Sequence, residues 1–98
     1  MPDFTDERVR ALLRAKDVER LAVFGSFARG EETEESDIDL LAYFGKPKSL
    51  FNMIDLQDGL EAVLGRKVDL LTEPALSPFI RDRVLSQARV VYDGPRVA

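Results

Sequence analysis

Residues 21–44 read Leu-Ala-Val-Phe-Gly-Ser-Phe-Ala-Arg-Gly-Glu-Glu-Thr-Glu-Glu-Ser-Asp-Ile-Asp-Leu-Leu-Ala-Tyr-Phe, and their pattern decides the fold. Residues 21–24 form a short apolar run stopped by Gly25, which predicts a buried strand. Residues 26–30 fit a short helix straight after it. Residues 31–36 are too acidic and too few for anything but a solvated loop. Ile38–Phe44 is apolar again and closes at Gly45 and Pro47, which predicts a second strand.

The flanking sequence extends the alternation. Thr5 is placed to cap a first helix, with Asp6 and Glu7 in its first turn and Val9, Leu12 and Leu13 at helical spacing. Ser49 caps a helix with Met53, Leu56, Leu60, Val63 and Leu64 on one stripe, and Gly65 lies just past its end. Residues 67–72 predict a third strand. Ser77-Pro78 is a good helix start, because Ser caps and Pro is tolerated at the first helical position, and the helix runs to about Ala88. Residues 89–92 predict a last strand, ended by Asp93-Gly94-Pro95. Strands alternating with helices predict an α/β fold, a sheet layered with helices. No repeat, low-complexity segment or long linker divides the chain, so residues 1–98 are expected to form one domain.

Composition removes whole classes of chemistry. The chain has 98 residues, 45% apolar and 33% charged, which suits a soluble globular domain with a thin core. It contains no Cys and no His. That excludes disulfides, thiolate nucleophiles, Cys/His zinc sites and imidazole acid–base catalysis. The net charge of −4 argues against a general nucleic-acid surface, and no direct nucleic-acid binding is expected. No apolar run approaches the ~20 residues of a membrane span. The N-terminus lacks the basic-then-apolar plan of a signal peptide, so a cytoplasmic location is expected.

Three features in this frame point to chemistry. Gly25-Ser26 follows a strand and opens a helix, and the free amides of a helix start favour phosphate. Asp37 and Asp39 stand two apart on a strand, which puts both carboxylates on one face. Like charges so placed repel unless a cation sits between them. Asp69 lies inside the apolar run Val68-Asp69-Leu70-Leu71, where a charge needs a partner or a metal. If its strand neighbours that of Asp39, a three-carboxylate cage for Mg²⁺ results. A phosphate cradle beside such a cage suits phosphoryl or nucleotidyl transfer by two metal ions. Blander readings stand beside each feature. Gly-Ser can be a simple turn, Asp-x-Asp can sit solvated on an edge strand, and Asp69 can pair with Arg66, Lys67 or Arg29. The glutamates of residues 31–35 read as a solvated loop without a catalytic role.

Together, Gly25-Ser26-x-x-Arg29-Gly30, then Ser36-Asp37-x-Asp39-Leu40, then Asp69 on a later strand, resemble the signature of the DNA polymerase β-type nucleotidyltransferase superfamily. The short chain and Ala28-Arg29-Gly30 look like its minimal nucleotidyltransferases of prokaryotes. The resemblance covers nearly the whole chain and implies a mixed sheet flanked by helices, the polymerase β-like fold. It implies ATP as substrate and two Mg²⁺ ions. By position, Asp37 and Asp39 would bind both metals, and Asp69 would bind one and help deprotonate the acceptor hydroxyl. Gly25 and Ser26 would hold the triphosphate, with Arg29 and Ser36 also on the nucleotide side. Arg29 would either contact phosphate or brace the acidic loop and the metal carboxylates. Phe27 departs from the family pattern, which commonly has a basic or polar residue there.

The resemblance also implies a partner. Minimal nucleotidyltransferases of this group are commonly encoded with a HEPN-domain toxin, act as its antitoxin, and adenylylate a tyrosine on it. A chain this short leaves little room for an acceptor-binding domain of its own. Two alternatives remain: an antitoxin that works only by occluding its partner, and a small-molecule transferase of the aminoglycoside-modifying kind. The apolar run Val90-Val91-Tyr92 is also a candidate sheet edge for association.

Overall fold

The computed structural model describes residues 2–94. Pro95, expected to help end the last strand, lies outside them. The elements run α1 (Glu7–Ala15), β1 (Val18–Phe24), α2 (Gly25–Arg29), β2 (Ile38–Phe44), α3 (Leu50–Leu64), β3 (Val68–Leu71), a 3₁₀ turn over Glu73–Ala75, α4 (Pro78–Gln87) and β4 (Arg89–Asp93). The four strands form one mixed sheet in the order β3-β2-β1-β4. β1 lies antiparallel to both β2 and β4, and β2 runs parallel to β3.

Alternation along the strands sorts side chains onto two faces. Leu21 and Val23 of β1 and Ile38, Leu40 and Ala42 of β2 join Val9 and Leu13 of α1 and Leu56 and Leu60 of α3 in the main core. The intervening Ala22, Phe24 and Leu41 pack with Leu76, beside Val84 and Leu85 of α4, in a smaller second cluster. One face is therefore closed by two helices, whereas the other is closed only in part by α4 and the 3₁₀ turn. Each fully buried leucine contributes about 1.5–3 kcal/mol of transfer free energy. β3 and β4 are the two edges, so residues 90–92 do lie on an edge strand, where Val90 is exposed and Tyr92 is buried. The β3 edge is covered by two side chains of α3. Glu61 of α3 accepts from the Val68 amide at 2.8 Å, and Gln57 accepts from the Leu70 amide at 3.2 Å.

Several boundaries differ from expectation for local reasons. Asp6, not Thr5, caps α1, its carboxylate accepting from the Arg8 amide at 2.8 Å. Thr5 is instead tied through its amide and hydroxyl to Asp3. β1 starts at Val18 rather than residue 21, because Val18 is buried opposite Phe44 although polar residues follow it. Ser49 and Ser77 cap α3 and α4 as read from sequence, and Gly65 ends α3 in the left-handed conformation.

The far end of the sheet offers a test in solution. Tyr43 donates to Glu73 at 2.7 Å, and the Arg20 guanidinium lies 4.3 Å from its ring centroid. Burial, with the Glu73 contact behind it, pushes the phenol from 10.0 up to about 12. The folded value exceeds the unfolded one, so this stabilisation is whole below pH 10 and is lost as pH rises through about 12. The denaturation midpoint of Tyr43→Phe is expected below that of wild type near neutrality, the gap closing across this window. Midpoints that fall in parallel from pH 10 to 12 would show that the phenol is not coupled to folding.

Candidate active site

The parallel pairing of β2 and β3 sets Asp39 directly opposite Asp69, and the antiparallel pairing of β1 and β2 sets Phe24 opposite Asp39. Neighbouring strands lie about 4.8 Å apart, and paired residues point to the same face. Asp39 and Asp69 therefore share the sparsely covered face, at the end where β1 leads into α2. Asp39 is half-buried and Asp69 exposed. Among the described residues no ion pair involves Asp69, and Arg66 is engaged elsewhere.

Asp37 enters differently from the period-two expectation. β2 begins at Ile38, whose amide donates to the Lys67 carbonyl at 2.9 Å, so Asp37 is the exposed residue leading into the strand. Its charge still reaches Asp39. Burial pushes the Asp39 carboxyl above its ordinary value, the charges of Asp69 and Asp37 push the same way, and Arg29 pulls it back. Three charged groups from three other segments thus act electrostatically on one carboxylate.

α2 begins one residue earlier than the expected 26–30. Phe24 occupies the cap position in extended conformation, and no side chain caps the helix start. Gly25 has φ +70°, a left-handed conformation that favours glycine, and an added Cβ there would lie 2.2 Å from Asp39 Oδ2. The helix start and the Asp39 carboxylate are therefore in direct apposition, with Ser26 next in line. Gly30 closes the helix at φ +72°. Arg29 takes up the bracing geometry: its Nε donates to Glu31 Oε2 at 3.1 Å and its Nη1 to Gln87 Oε1 of α4 at 3.5 Å.

The acidic segment is a built turn rather than loose loop. The Thr33 amide donates to the Ser36 hydroxyl at 2.8 Å, and the Ser36 amide to the Thr33 carbonyl at 3.1 Å. The Ser36 hydroxyl is thus committed to its own turn here. Phe27 is buried in the main core, with the Arg66 guanidinium 5.1 Å from its ring centroid. An aromatic at this position, in place of a basic or polar side chain, gives α2 an anchor in the core. Gln87 escaped the sequence reading, since it carries no motif, and Arg66, read there only as a candidate partner of Asp69, instead donates to the Thr33 and Ser36 carbonyls of the acidic turn.

Among the described residues no three acidic side chains are grouped closely enough, as they stand, to hold a metal ion. The chemistry of the donors nevertheless fits a hard divalent cation: oxygen ligands only, and a carboxylate whose neighbours oppose its charge.

A profile described as "Polymerase beta, Nucleotidyltransferase" matches residues 7–96. The chain belongs to the polymerase β-type nucleotidyltransferase family. A protein adenylyltransferase named MntA from Thermococcus cleftensis is 44% identical over 75 residues, spanning 76% of this chain and 74% of that one. A candidate protein adenylyltransferase from Methanocaldococcus jannaschii is 43% identical over 81 residues, 83% of this chain and 87% of that one. A solved minimal nucleotidyltransferase candidate is 41% identical, with a TM-score of 0.72 and 85% coverage of both chains. A toxin–antitoxin crystal structure with AMP-PNP shares the fold at 22% identity, TM-score 0.75, covering 90% of this chain and 73% of that one. This nucleotidyltransferase has the mixed sheet and flanking helices that its sequence resemblance implies. No helix among its described residues is long and apolar enough to cross a membrane.

Proposed function

We propose that this nucleotidyltransferase moves AMP from ATP to a hydroxyl, a tyrosine side chain, of a HEPN-domain toxin and thereby acts as its antitoxin. The observation that carries the reading is the register pair Asp39–Asp69 beside the uncapped Gly25–Ser26 helix start. Support for the acceptor comes from the adenylyltransferase named MntA. It also comes from a Shewanella oneidensis structure of this fold in which a tri-AMPylated HEPN toxin is bound to its MNT antitoxin.

Roles follow from placement. Gly25 and Ser26 present the helix-start amides and a hydroxyl to the triphosphate. Arg29 holds the acidic turn and offsets charge at Asp39. Asp37, Asp39 and Asp69 would hold Mg²⁺, two ions, which when bound supply Lewis-acid stabilisation of the phosphates. Asp69 is exposed, so it can meet a hydroxyl presented by another chain and take its proton. The acceptor oxygen bonds to the α-phosphorus, the bond to the β-phosphate bridge breaks, and pyrophosphate leaves.

The test is transfer of labelled AMP from ATP to a co-encoded HEPN-domain protein, with and without Mg²⁺. Incorporation that needs Mg²⁺ is expected. ATP with Mg²⁺ at 100 times its dissociation constant is also expected to raise the melting temperature by about 10–20 °C. Neutralisation of the partner with no AMP transferred would overturn the enzymatic reading in favour of occlusion.

A further inference from the structure

Arg66 sits where the end of α3 meets the head of β2, and its contacts converge on one residue. Its Nη1 donates to the Thr33 carbonyl at 3.0 Å and to the Ser36 carbonyl at 3.1 Å. The next residue, Lys67, accepts from the Ile38 amide at 2.9 Å. Asp37 is thus bracketed: the carbonyl before it and the amide after it are both held by the 66–67 segment. The same guanidinium lies over the Phe27 ring, which is rooted in the core on α2. Gly65, at φ +68°, makes the reversal that brings the side chain back to this position.

We propose that Arg66 is a positioning residue for Asp37, locking the acidic turn to α2 so that an exposed carboxylate outside the sheet is held at a fixed place beside Asp39. The need is physical. Asp39 and Asp69 are fixed by strand register, but Asp37 precedes the ladder, and the turn before it carries Glu31, Glu32, Glu34 and Glu35. Mutual repulsion among those charges favours an open, mobile turn. One planar cation that spans two carbonyls and stacks on an aromatic opposes that tendency, and an ammonium does so only in part. The proposal rests on the nucleotidyl-transfer reading of the site.

The test uses the full chain with Arg66→Gln and Arg66→Lys. In the free protein, hydrogen exchange at the Thr33, Ser36 and Ile38 amides is expected to speed up about tenfold in the Gln variant, with partial recovery in the Lys variant. In transfer to the partner protein, the Mg²⁺ concentration for half-maximal rate is expected to rise about tenfold or more in the Gln variant, with a smaller change in the KM for ATP. Unchanged exchange at the three amides overturns the clamp. A lower melting temperature with an unaltered Mg²⁺ requirement overturns the positioning role and leaves Arg66 merely structural. If wild type transfers nothing, the functional reading falls, and the exchange measurement alone decides whether Arg66 fixes the turn. Should the Gln variant fail to fold, the Lys variant carries the same comparison at reduced size.

Discussion

Asp39→Asn is expected to reduce AMP transfer more than about 100-fold, beyond what removing a supporting partner of a metal ligand costs, while leaving the unliganded chain at least as stable as wild type. The two halves have one cause. In the free protein the Asp39 charge is half-buried and faces Asp69 and Asp37, so its neutral form is favoured and its carboxyl lies above the ordinary value of 3.8. A folded value above the unfolded one means a contribution fully present below pH 3.8 and lost as pH rises through the raised value. The substituted amide cannot ionise, so the variant escapes that loss, and its stability relative to wild type should grow with rising pH across the same window. Denaturation midpoints at acid and neutral pH, beside the transfer rate, check both halves. A variant clearly destabilised at pH 7 would mean that the carboxylate is a structural partner, and transfer at the wild-type rate would remove Asp39 from the site.

This combination, a position where the fold tolerates poor electrostatics, is also why so much of the site was legible in advance. Charged residues inside apolar strands conflict with burial, and that conflict is visible without coordinates: Asp39 beside Ile38 and Leu40, Asp69 between Val68 and Leu70. The helix caps at Ser49 and Ser77 and the stop at Gly65 were readable for a similar reason, because each is a local rule satisfied by one residue. Strand register was not readable. Nothing in the apolar pattern says that β3 lies beside β2 in parallel, yet that pairing alone sets Asp69 opposite Asp39. Polar clamps were equally hidden. Arg66 bonds carbonyls, which every residue carries, so no side-chain motif marks its targets. Val18 shows the same limit in the core. It belongs to β1 through its partner Phe44, not through its neighbours Glu19 and Arg20.

Gly25→Ala separates stability from activity at the junction of the two halves of the site. Its φ of +70° costs an L-residue about 1–2 kcal/mol, which for a domain of this size lowers the melting temperature by about 4–16 °C. The new Cβ would also stand 2.2 Å from Asp39 Oδ2 and 3.1 Å from its Cγ. The clash involves the end of a side chain rather than backbone, so Asp39 can turn away, and the steric part adds little to the stability loss. The same turn removes the carboxylate from its place, and a displacement of about 1 Å can cost 100-fold in rate. Transfer by the variant is therefore expected to fall about 100-fold even at temperatures where it is fully folded. Gly30→Ala is the matched comparison. It has nearly the same φ, +72°, but nothing lies within 4 Å of the added Cβ. It should lose similar stability with a much smaller loss of transfer. Equal loss of activity in the two variants would show that backbone strain in α2, and not the apposition of Gly25 to Asp39, is what the reaction depends on.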